Sequence, residues 1–291
     1  EFPAGSRTEE NDMPDHTIFN ERPESQDRAL KVIERLGYTI VPRSEAERKR
    51  GSRKAVLFTE ELQTFLSGQT YQFGSETRYF SGGAIARAMQ AVDQHSAAGL
   101  YAANKEIYEL ICSGKSMEEE LPDGTRQSFD IRYIDFEHPE NNTFQVTDEF
   151  EVERPNGRFA RPDLVVLVNG IPLVVIECKK SSVDVMEGVT QNIRNWGEDY
   201  IPHLFRYAQL VMAMNPDKVL YGTCGTPAKY FVSWHEDNKD WLNDWGRKCS
   251  PDGQIREQDR ALVSLLHPER LLDLIRNFII YDNNVKKICR Y

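Results

Sequence analysis

The sequence predicts an α/β fold in which helices flank a mixed β-sheet. Two apolar, largely β-branched runs, 164–168 and 173–176, surround Asn169-Gly170, and this pattern is typical of a β-hairpin. Because the runs do not alternate with polar residues, both faces of the two strands should be buried. The predicted order of the core elements, which is helix, three strands, helix and strand, also favours this fold class.

The first predicted helix covers residues 24–36, where apolar residues recur at helical spacing and Gly37 ends the pattern. After the hairpin, residues 183–196 predict another helix. The other predicted elements are, in chain order, mostly helical residues at 56–112, strands at 128–134 and 143–153, strands at 210–214, 219–221 and 230–234, and helices at 262–266 and 271–280.

Three ionisable residues adjoin the open end of the hairpin: Asp163, Glu177 and Lys179. Charges beside a buried strand pair cost free energy unless they are paired with each other or bind a metal. Two carboxylates together with an ammonium group therefore indicate a cation site with a phosphate or a water molecule next to it. The alternative is that all three are solvated charges at strand ends.

The register of the hairpin decides whether the two carboxylates share a face of the sheet. A two-residue turn at Asn169-Gly170 would pair position 163 with 176, so that Asp163 and Glu177 would point to opposite faces. An odd-length loop, or a bulge between the two carboxylates, would bring them to one face. We predict a three-residue loop closed by Gly170 with a positive φ, so that paired positions near the site sum to an even number.

The same residues match the PD-(D/E)xK nuclease signature, as Pro162-Asp163 followed by Glu177-Cys178-Lys179. A much longer stretch of the chain, from about residue 20 to its last residue, resembles the N-terminal nuclease region of the restriction (R) subunit of type I restriction–modification enzymes. The segments that carry this resemblance are RPDLVVLVNGIPLVVIECKK (161–180), IDFEHPENNTF (134–144), IPHLFRYAQLVMAMN (201–215) and YGTCGTP (221–227).

The resemblance implies a restriction-endonuclease-like core with extra helices and a metal-dependent site at the hairpin. It implies that Asp163, Glu177 and the backbone carbonyl of Cys178 bind Mg²⁺ or Mn²⁺, which prefer hard oxygen ligands. Lys179 would position the attacking water or help to deprotonate it, because the pKa of a lysine can fall next to a cation. The substrate implied is double-stranded DNA.

Related nucleases also carry a Q-x-x-x-Y motif after the lysine and an acidic residue early in the first helix. Gln191 matches the glutamine, but the tyrosine is absent, and Gln191 can equally be an ordinary exposed helix residue. Glu24 is the nearest match to the acidic residue, Glu21 is another, and a carboxylate favoured by the helix dipole is the alternative. We expect Lys180 and Arg161, which adjoin the motif, to contact DNA.

Composition limits the class of protein. The 291 residues are 40% hydrophobic, which suffices for one large domain or for one domain with an appendage. No apolar run approaches the ~20 residues of a membrane span, no secretory signal is visible, and the five cysteines form no CxxC pair. We therefore expect a reduced cytoplasmic protein. Its net charge of −10 is unusual for a DNA-binding protein, so a basic groove must be local or come from partner subunits.

The basic run at 43–54 is either a mobile loop near DNA or, as is more common, a solvated face.

The segment Gly114-Lys115-Ser116 resembles the end of a phosphate-binding loop, but position 109 is Glu where that motif requires Gly. We therefore expect no ATP hydrolysis by this chain. Full R subunits bind ATP in translocase domains after the nuclease region, and those domains are missing from this sequence.

We divide the chain into three parts: residues 1–15, a leader that is disordered or was added for expression; residues 16–235, an endonuclease domain; and residues 236–291, a helical appendage leading toward the translocase domains. The resemblance implies that the methylation and specificity subunits of the restriction complex are partners, with no membrane. Two other functions stay open, namely another nuclease of the same superfamily and a non-catalytic DNA-binding or docking module on the same fold.

Overall fold

The computed structural model describes residues 23–94 and 99–289, so the predicted leader and Glu21 lie outside the described residues. The helices of this part of the chain are α1 (Glu24–Arg35), α2 (Arg43–Arg50), α3 (Thr59–Ser67), α4 (Gly82–Asp93), α5 (Leu100–Ser113), α6 (Val185–Asn195), α7 (Pro202–Phe205), α8 (Lys239–Cys249), α9 (Glu257–Leu266) and α10 (Pro268–Asn277).

The strands of the described residues are β1 (Thr39–Val41), β2 (Thr70–Phe73), β3 (Glu76–Tyr79), β4 (Lys115–Glu120), β5 (Arg126–Ile131), β6 (Phe144–Asp148), β7 (Val152–Glu153), β8 (Phe159–Ala160), β9 (Leu164–Val168), β10 (Ile171–Cys178), β11 (Leu210–Asn215), β12 (Lys218–Gly222), β13 (Ile279–Asp282) and β14 (Val285–Ile288). A six-stranded sheet has the order β1-β6-β9-β10-β11-β12, and each of the pairs β2–β3, β4–β5, β7–β8 and β13–β14 forms a separate hairpin.

The central sheet is mixed and covered by helices, as the sequence predicts. Strand β10 pairs antiparallel with β9 and parallel with β11. All residues of β9, β10 and β11 are buried, which explains why these strands are continuous apolar runs. Helix α6 connects β10 to β11 and packs against both, as a crossover between parallel strands does. None of the described helices is both long and apolar enough to cross a bilayer.

Side-chain caps define where several helices begin. Ser81, Asp184 and Asn238 each accept a hydrogen bond from a backbone N–H in the first turn of α4, α6 and α8, respectively. Such caps stabilise a helix by about 1 kcal/mol each, because the first N–H groups of a helix have no partner within it. The cap at Asp184 fixes the start of α6 at Val185, close to the end of β10 at Cys178.

The hairpin reaches the required register by a different route from the one we predicted. Val168 pairs with Ile171 across a two-residue turn, with φ of 49° at Asn169 and 79° at Gly170, so the three-residue loop is wrong. The register then shifts between Pro172 and Val174, and beyond this bulge the paired positions sum to 340. The even sum near the site is therefore confirmed, and the bulge produces it.

Other segments also differ from the sequence predictions. Residues 70–79, within the region predicted as mostly helical, form the β2–β3 hairpin. Residues 230–234 form no strand, and only an isolated bridge joins Tyr221 to Val232. The predicted helix at 271–280 ends at Asn277, and a hairpin of β13 and β14 follows. All three involve short or exposed elements, where tertiary contacts outweigh local propensity.

The basic run at 43–54 is not a mobile loop. It forms α2 and the turn after it, and its cations face carboxylates. Arg43 and Arg53 both pair with Glu151, at 3.0 and 2.8 Å, and Lys49 pairs with Glu61. Arg50 is buried and donates to backbone carbonyls. The run is therefore a largely neutralised face of the domain.

The C-terminal segment shares the core of the domain. Helix α9 packs against α1 and β12, and the guanidinium of Arg28 on α1 forms two hydrogen bonds to the buried carboxylate of Asp259, at 2.8 and 2.6 Å. The ammonium of Lys286 on β14 is buried and donates to Asn104 and Gln209. The segment predicted as a helical appendage thus ends in a β-hairpin; a domain boundary at residue 235 stays a prediction.

The segment around Gly114-Lys115-Ser116 has the opposite architecture to a phosphate-binding loop. Helix α5 ends at Ser113, Gly114 has a φ of 73°, and β4 begins at Lys115. A phosphate-binding loop instead leads from a strand into a helix whose N-terminal N–H groups face the phosphates. The segment therefore lacks the geometry of a phosphate-binding loop, and the absence of ATP hydrolysis stays a prediction.

Replacing Gly170 tests the hairpin turn. We expect Gly170→Val to lower the free energy of unfolding by more than about 2 kcal/mol, because the residue has a positive φ and a Cβ would lie 2.3 Å from the carbonyl oxygen of Phe58. Gly124→Val is the matched control, since Gly124 has a φ of 83° but open space around it. Urea denaturation would measure both, and equal destabilisation would show that the approach of Phe58 does not matter.

Candidate active site

The candidate active site lies where β9 begins and β10 ends. Ile176 pairs with Leu164, so the next positions outward on the two strands are Glu177 and Asp163, which share a face in this register. The backbone N–H of Cys178 donates to Oδ2 of Asp163 at 2.6 Å. The two carboxyl groups lie near enough to share a hydrogen bond when one of them is protonated. The hairpin therefore brings together the carboxylates that the sequence analysis singled out.

Glu177 is fully buried and held from the side of α6. The side-chain amide of Asn195 donates to Oε1 of Glu177 at 3.1 Å, whereas Oε2 is buried and has no hydrogen-bond partner among the described residues. Helix α6 approaches this closely because position 188 is glycine: a Cβ there would lie 3.1 Å from the Cβ of Ala213 and 3.5 Å from that of Glu177. An alanine at 188 would push the helix away from the strand.

Lys179 contacts the side chain of Gln191 on α6. The ammonium donates to Oε1 of Gln191 at 2.6 Å, and the backbone N–H of Lys179 donates to the carbonyl of Met214. The side chain is half-buried. Its position two residues beyond Glu177 puts it on the same face of the strand, so one helix residue fixes the lysine beside the carboxylates.

Helix α1 contacts the site through residues other than the predicted one. The hydroxyl of Ser25 donates to the backbone carbonyl of Lys179 at 2.7 Å. The side-chain amide of Gln26 donates to the backbone carbonyl of Asp163 at 3.3 Å. Glu24 is exposed and pairs with Arg256 at 2.7 Å. The start of α1 therefore supports the backbone of the site, while the structure does not bring Glu24 to the carboxylate pair.

The two residues expected to contact DNA are both exposed. Arg161 pairs with Glu149 at 2.7 Å and approaches Glu151 at 4.0 Å, so its charge is largely neutralised. Lys180 follows Lys179 at the end of β10.

The sequence analysis missed three residues that contact the site: Asn195, Ser25 and Gln26. For Asn195 a signal was available, since it occupies the position of the missing tyrosine, four residues after Gln191.

Burial makes the carboxylate pair hard to ionise. Removal from water raises the pKa of Asp163, against the opposing effects of the Cys178 N–H and the Lys179 ammonium. Removal from water also raises the pKa of Glu177 well above its ordinary value, and the nearby Asp163 raises it further. The pKa values of both carboxyl groups are therefore raised, and a cation bound to the pair would oppose that rise.

The residues fit a divalent cation in part. Among the described residues, no group of three or more His, Cys, Asp or Glu side chains is placed to hold a metal ion. The two carboxylates nonetheless supply hard oxygen donors on one face, and no described residue bonds to the buried Oε2 of Glu177. A burial that is unfavourable in the metal-free protein becomes favourable when a cation binds, because each carboxylate then regains a strong electrostatic partner.

Comparison with known proteins identifies the family of this chain. The model of the family described as the type I restriction enzyme R protein N terminus matches residues 18–230. The chain belongs to this family. It is 27% identical over 275 residues to the type I restriction enzyme HindI endonuclease subunit of Haemophilus influenzae, an alignment covering 90% of this chain and 24% of that subunit.

Two further relatives carry similar names. The putative type I restriction enzyme MjaIXP endonuclease subunit of Methanocaldococcus jannaschii is 30% identical over 197 residues, which cover 63% of this chain and 18% of the subunit. The EcoprrI endonuclease subunit of Escherichia coli is 28% identical over 159 residues, which cover 53% of this chain and 47% of that sequence. The chain thus spans less than half of each relative.

The charge of Glu177 should destabilise the metal-free protein. We expect Glu177→Gln to raise the melting temperature by several degrees at pH 8 in EDTA, since about 1 kcal/mol shifts it by roughly 2–4 °C in a domain of this size. The folded-state pKa is raised, so the penalty is complete above that pKa and absent below the unfolded value of about 4.3. The gain should therefore vanish as the pH falls toward about 4.

The matched control is Glu109→Gln, because Glu109 is an exposed helix residue. Its melting temperature should differ little from that of the wild type at either pH. Scanning calorimetry at several pH values measures both variants. A Glu177→Gln protein that is less stable than the wild type at pH 8 would show that the carboxylate is not strained in the metal-free state.

Proposed function

We propose that this chain is the Mg²⁺-dependent DNA endonuclease part of a type I restriction enzyme R subunit, with a PD-(D/E)xK core. It would hydrolyse phosphodiester bonds of double-stranded DNA. The observation that carries the proposal is the register of the hairpin. It sets Asp163, Glu177 and Lys179 on one face, where no described residue bonds to the buried Oε2 of Glu177.

Asp163 and Glu177 would hold the cation, with the backbone carbonyl of Cys178 as a third ligand. Bound there, Mg²⁺ or Mn²⁺ supplies Lewis-acid polarisation of the phosphate and lowers the pKa of a bound water. The chain contributes the position of each carboxylate. The Cys178 N–H holds one oxygen of Asp163, and the Asn195 amide holds one oxygen of Glu177, so the remaining oxygens are left for the cation.

Lys179 would act on the attacking water and on the charge that develops at the phosphate. Its ammonium is oriented by Oε1 of Gln191, a neutral acceptor that leaves the positive charge of the lysine in place. An ammonium held this way offsets negative charge at a pentacovalent phosphate. Gln191 is thus a positioning residue for Lys179.

Asn195 would be the corresponding positioning residue for Glu177. It stands four residues after Gln191, where related nucleases have tyrosine, and its side chain is 1% exposed. Its amide donates to the carboxylate directly, so it restrains the rotamer of Glu177 whether or not a cation is bound. The two polar positions of α6 therefore divide the task, one for the lysine and one for the glutamate.

The wider assembly also belongs to the proposal. The chain would act with the methylation and specificity subunits, which choose the DNA site, and with ATP-binding translocase domains elsewhere in the R subunit. A non-catalytic DNA-binding module on the same fold is the alternative. The buried Glu177 carboxylate next to Asp163 counts against it, because such a module would gain stability by losing one of the two charges.

Substitution of the three central residues tests the proposal. We expect Asp163→Asn, Glu177→Gln and Lys179→Met each to lower Mg²⁺-dependent nicking of supercoiled DNA by at least about 100-fold with the fold retained, because each removes a charge that the reaction requires. The assay should use this chain and the full-length subunit in its complex. Glu60→Gln, an exposed change on α3, is the control.

A measurement without catalysis separates the roles of these residues. Mg²⁺ or Mn²⁺ should raise the melting temperature of the wild type and of Lys179→Met, but not that of Asp163→Asn or Glu177→Gln. If one variant nicked DNA at the rate of the wild type, the residue changed in it would have no role in the mechanism. Metal stabilisation of all four proteins alike would place the cation elsewhere.

Asn195 can be tested through metal affinity. We expect Asn195→Leu to weaken the Mn²⁺-induced rise in melting temperature and to lower nicking on the order of 10-fold, because residues that hold metal ligands in place typically contribute about 10–100-fold. Asn195→Gln, which keeps an amide donor, should recover part of both. A purely structural role predicts a lower melting temperature with unchanged metal dependence, and that outcome would contradict the assignment.

A further inference from the structure

A short β-arm projects from the sheet beside the site. It comprises residues 149–162: Glu149 and Phe150 donate backbone hydrogen bonds to Asp163 and Pro162, and β7 and β8 then pair up to a tight turn. The arm therefore leaves the sheet at the residue that carries the first carboxylate. Helix α6 also contacts the site, through Gln191 and Asn195, and the loop after it contains Tyr200.

The arm and this loop meet at Tyr200. The guanidinium of Arg154, just after β7, stacks 3.8 Å from the centre of the Tyr200 ring, and its Nε donates to the carbonyl of Asp199 at 3.2 Å. The guanidinium of Arg194 on α6 lies 5.1 Å from the same ring centre. One aromatic ring thus gathers two cations from separate elements.

Both cations remain uncompensated within the described residues. No carboxylate forms an ion pair with Arg154 or Arg194 there, although Glu198 and Asp199 lie on the same loop. By contrast, Arg53 and Arg161 near the arm each pair with glutamates. Two like charges held at one ring repel each other, and an anion between or beside them would relieve that repulsion.

The two arginines also lie close to the candidate active site. Arg194 adjoins Asn195, whose side-chain amide donates to Oε1 of Glu177 at 3.1 Å. Arg194 also stands three residues after Gln191, which binds Lys179. Arg154 and Arg194 thus form a positive rim at this end of the site. In a chain with a net charge of −10, this local positive rim adjoins the carboxylate site.

We propose that Arg154 and Arg194, held by Tyr200, bind backbone phosphates of duplex DNA next to the phosphate that is cleaved. This inference rests on the proposed function, because it takes DNA as the substrate and says where the DNA backbone would bind. Two planar guanidinium groups on separate elements suit two phosphates along one strand, and the arm would follow the DNA backbone. The binding would be independent of DNA sequence, since it reaches no base edge.

DNA-binding measurements without cleavage test the rim. A fluorescent duplex is titrated with the chain in Ca²⁺ at a series of salt concentrations. We expect Arg154→Ala/Arg194→Ala to weaken binding by about tenfold or more at low salt, and to reduce the slope of log affinity against log salt by about 2, one for each phosphate that the variant no longer neutralises. Tyr200→Ala should weaken binding and Tyr200→Phe should preserve it.

The control removes the same charge elsewhere. Arg78→Ala/Arg126→Ala deletes two arginines that pair with carboxylates on the β2–β3 and β4–β5 hairpins, and it should change affinity far less. If the two double variants weakened DNA binding equally, the effect would come from net charge and not from the position of the arginines. That result would overturn the proposal. So would undetectable binding by the wild type at low salt, or poly-glutamate binding that depends on the same two arginines.

Failure of this inference is distinguishable from failure of the proposed function. Asp163→Asn should keep the part of the salt dependence that Arg154 and Arg194 provide, because it leaves both arginines in place. Binding that depends on the two arginines without any metal-dependent cleavage would uphold the rim and reject the nuclease. Cleavage that depends on Asp163 while binding ignores both arginines would do the reverse.

Discussion

Much of this domain is arranged around one unfavourable burial, that of the Glu177 carboxylate. Strand β10 lies in the middle of the sheet and is covered on both faces, so a charge at its end cannot reach bulk water. Ionising a carboxyl group there costs several kcal/mol unless a partner compensates. The surroundings compensate only partly: Asn195 donates one hydrogen bond and the Lys179 ammonium opposes the negative charge, but Asp163 adds a second carboxylate. The structure thus retains a local strain that a cation would remove, as functional sites commonly do.

The bulge at Leu173 is what makes the two carboxylates neighbours. The tight Asn169-Gly170 turn suits the twist of the strands but sets an odd register, which would send Asp163 and Glu177 to opposite faces. One extra residue in β10 restores the even register without opening the turn. Pro172 precedes the shift, and a proline, which has no N–H to donate, is tolerated at such an irregularity. The turn and the site therefore make conflicting demands that the bulge reconciles.

The apolar pattern and the charges at the strand ends predicted the central hairpin, the mixed sheet and the group formed by Asp163, Glu177 and Lys179. The pattern could not place the bulge, because a one-residue shift leaves no mark in strands that are apolar at every position. It also missed the β2–β3 and β13–β14 hairpins, which have few buried residues and owe their form to contacts far along the chain. The hydrogen bonds by which Ser25 and Gln26 support the backbone of the site could not be predicted for the same reason. Ser25 is 154 residues from its partner in sequence, and Gln26 is 137 residues from its partner.

Helix α6 shows how one element can serve several purposes through its period. Gly188, Gln191 and Asn195 are spaced by three and four residues and so lie along one face. That face meets the strand end: the glycine permits close approach, the glutamine orients Lys179, and the asparagine holds Glu177. An apolar face would pack equally well but would leave the ionisable groups without partners. The polar stripe on a buried helix face is therefore dictated by the charges opposite it, and Arg194, just beside the stripe, extends the same helix toward the outer rim of the site.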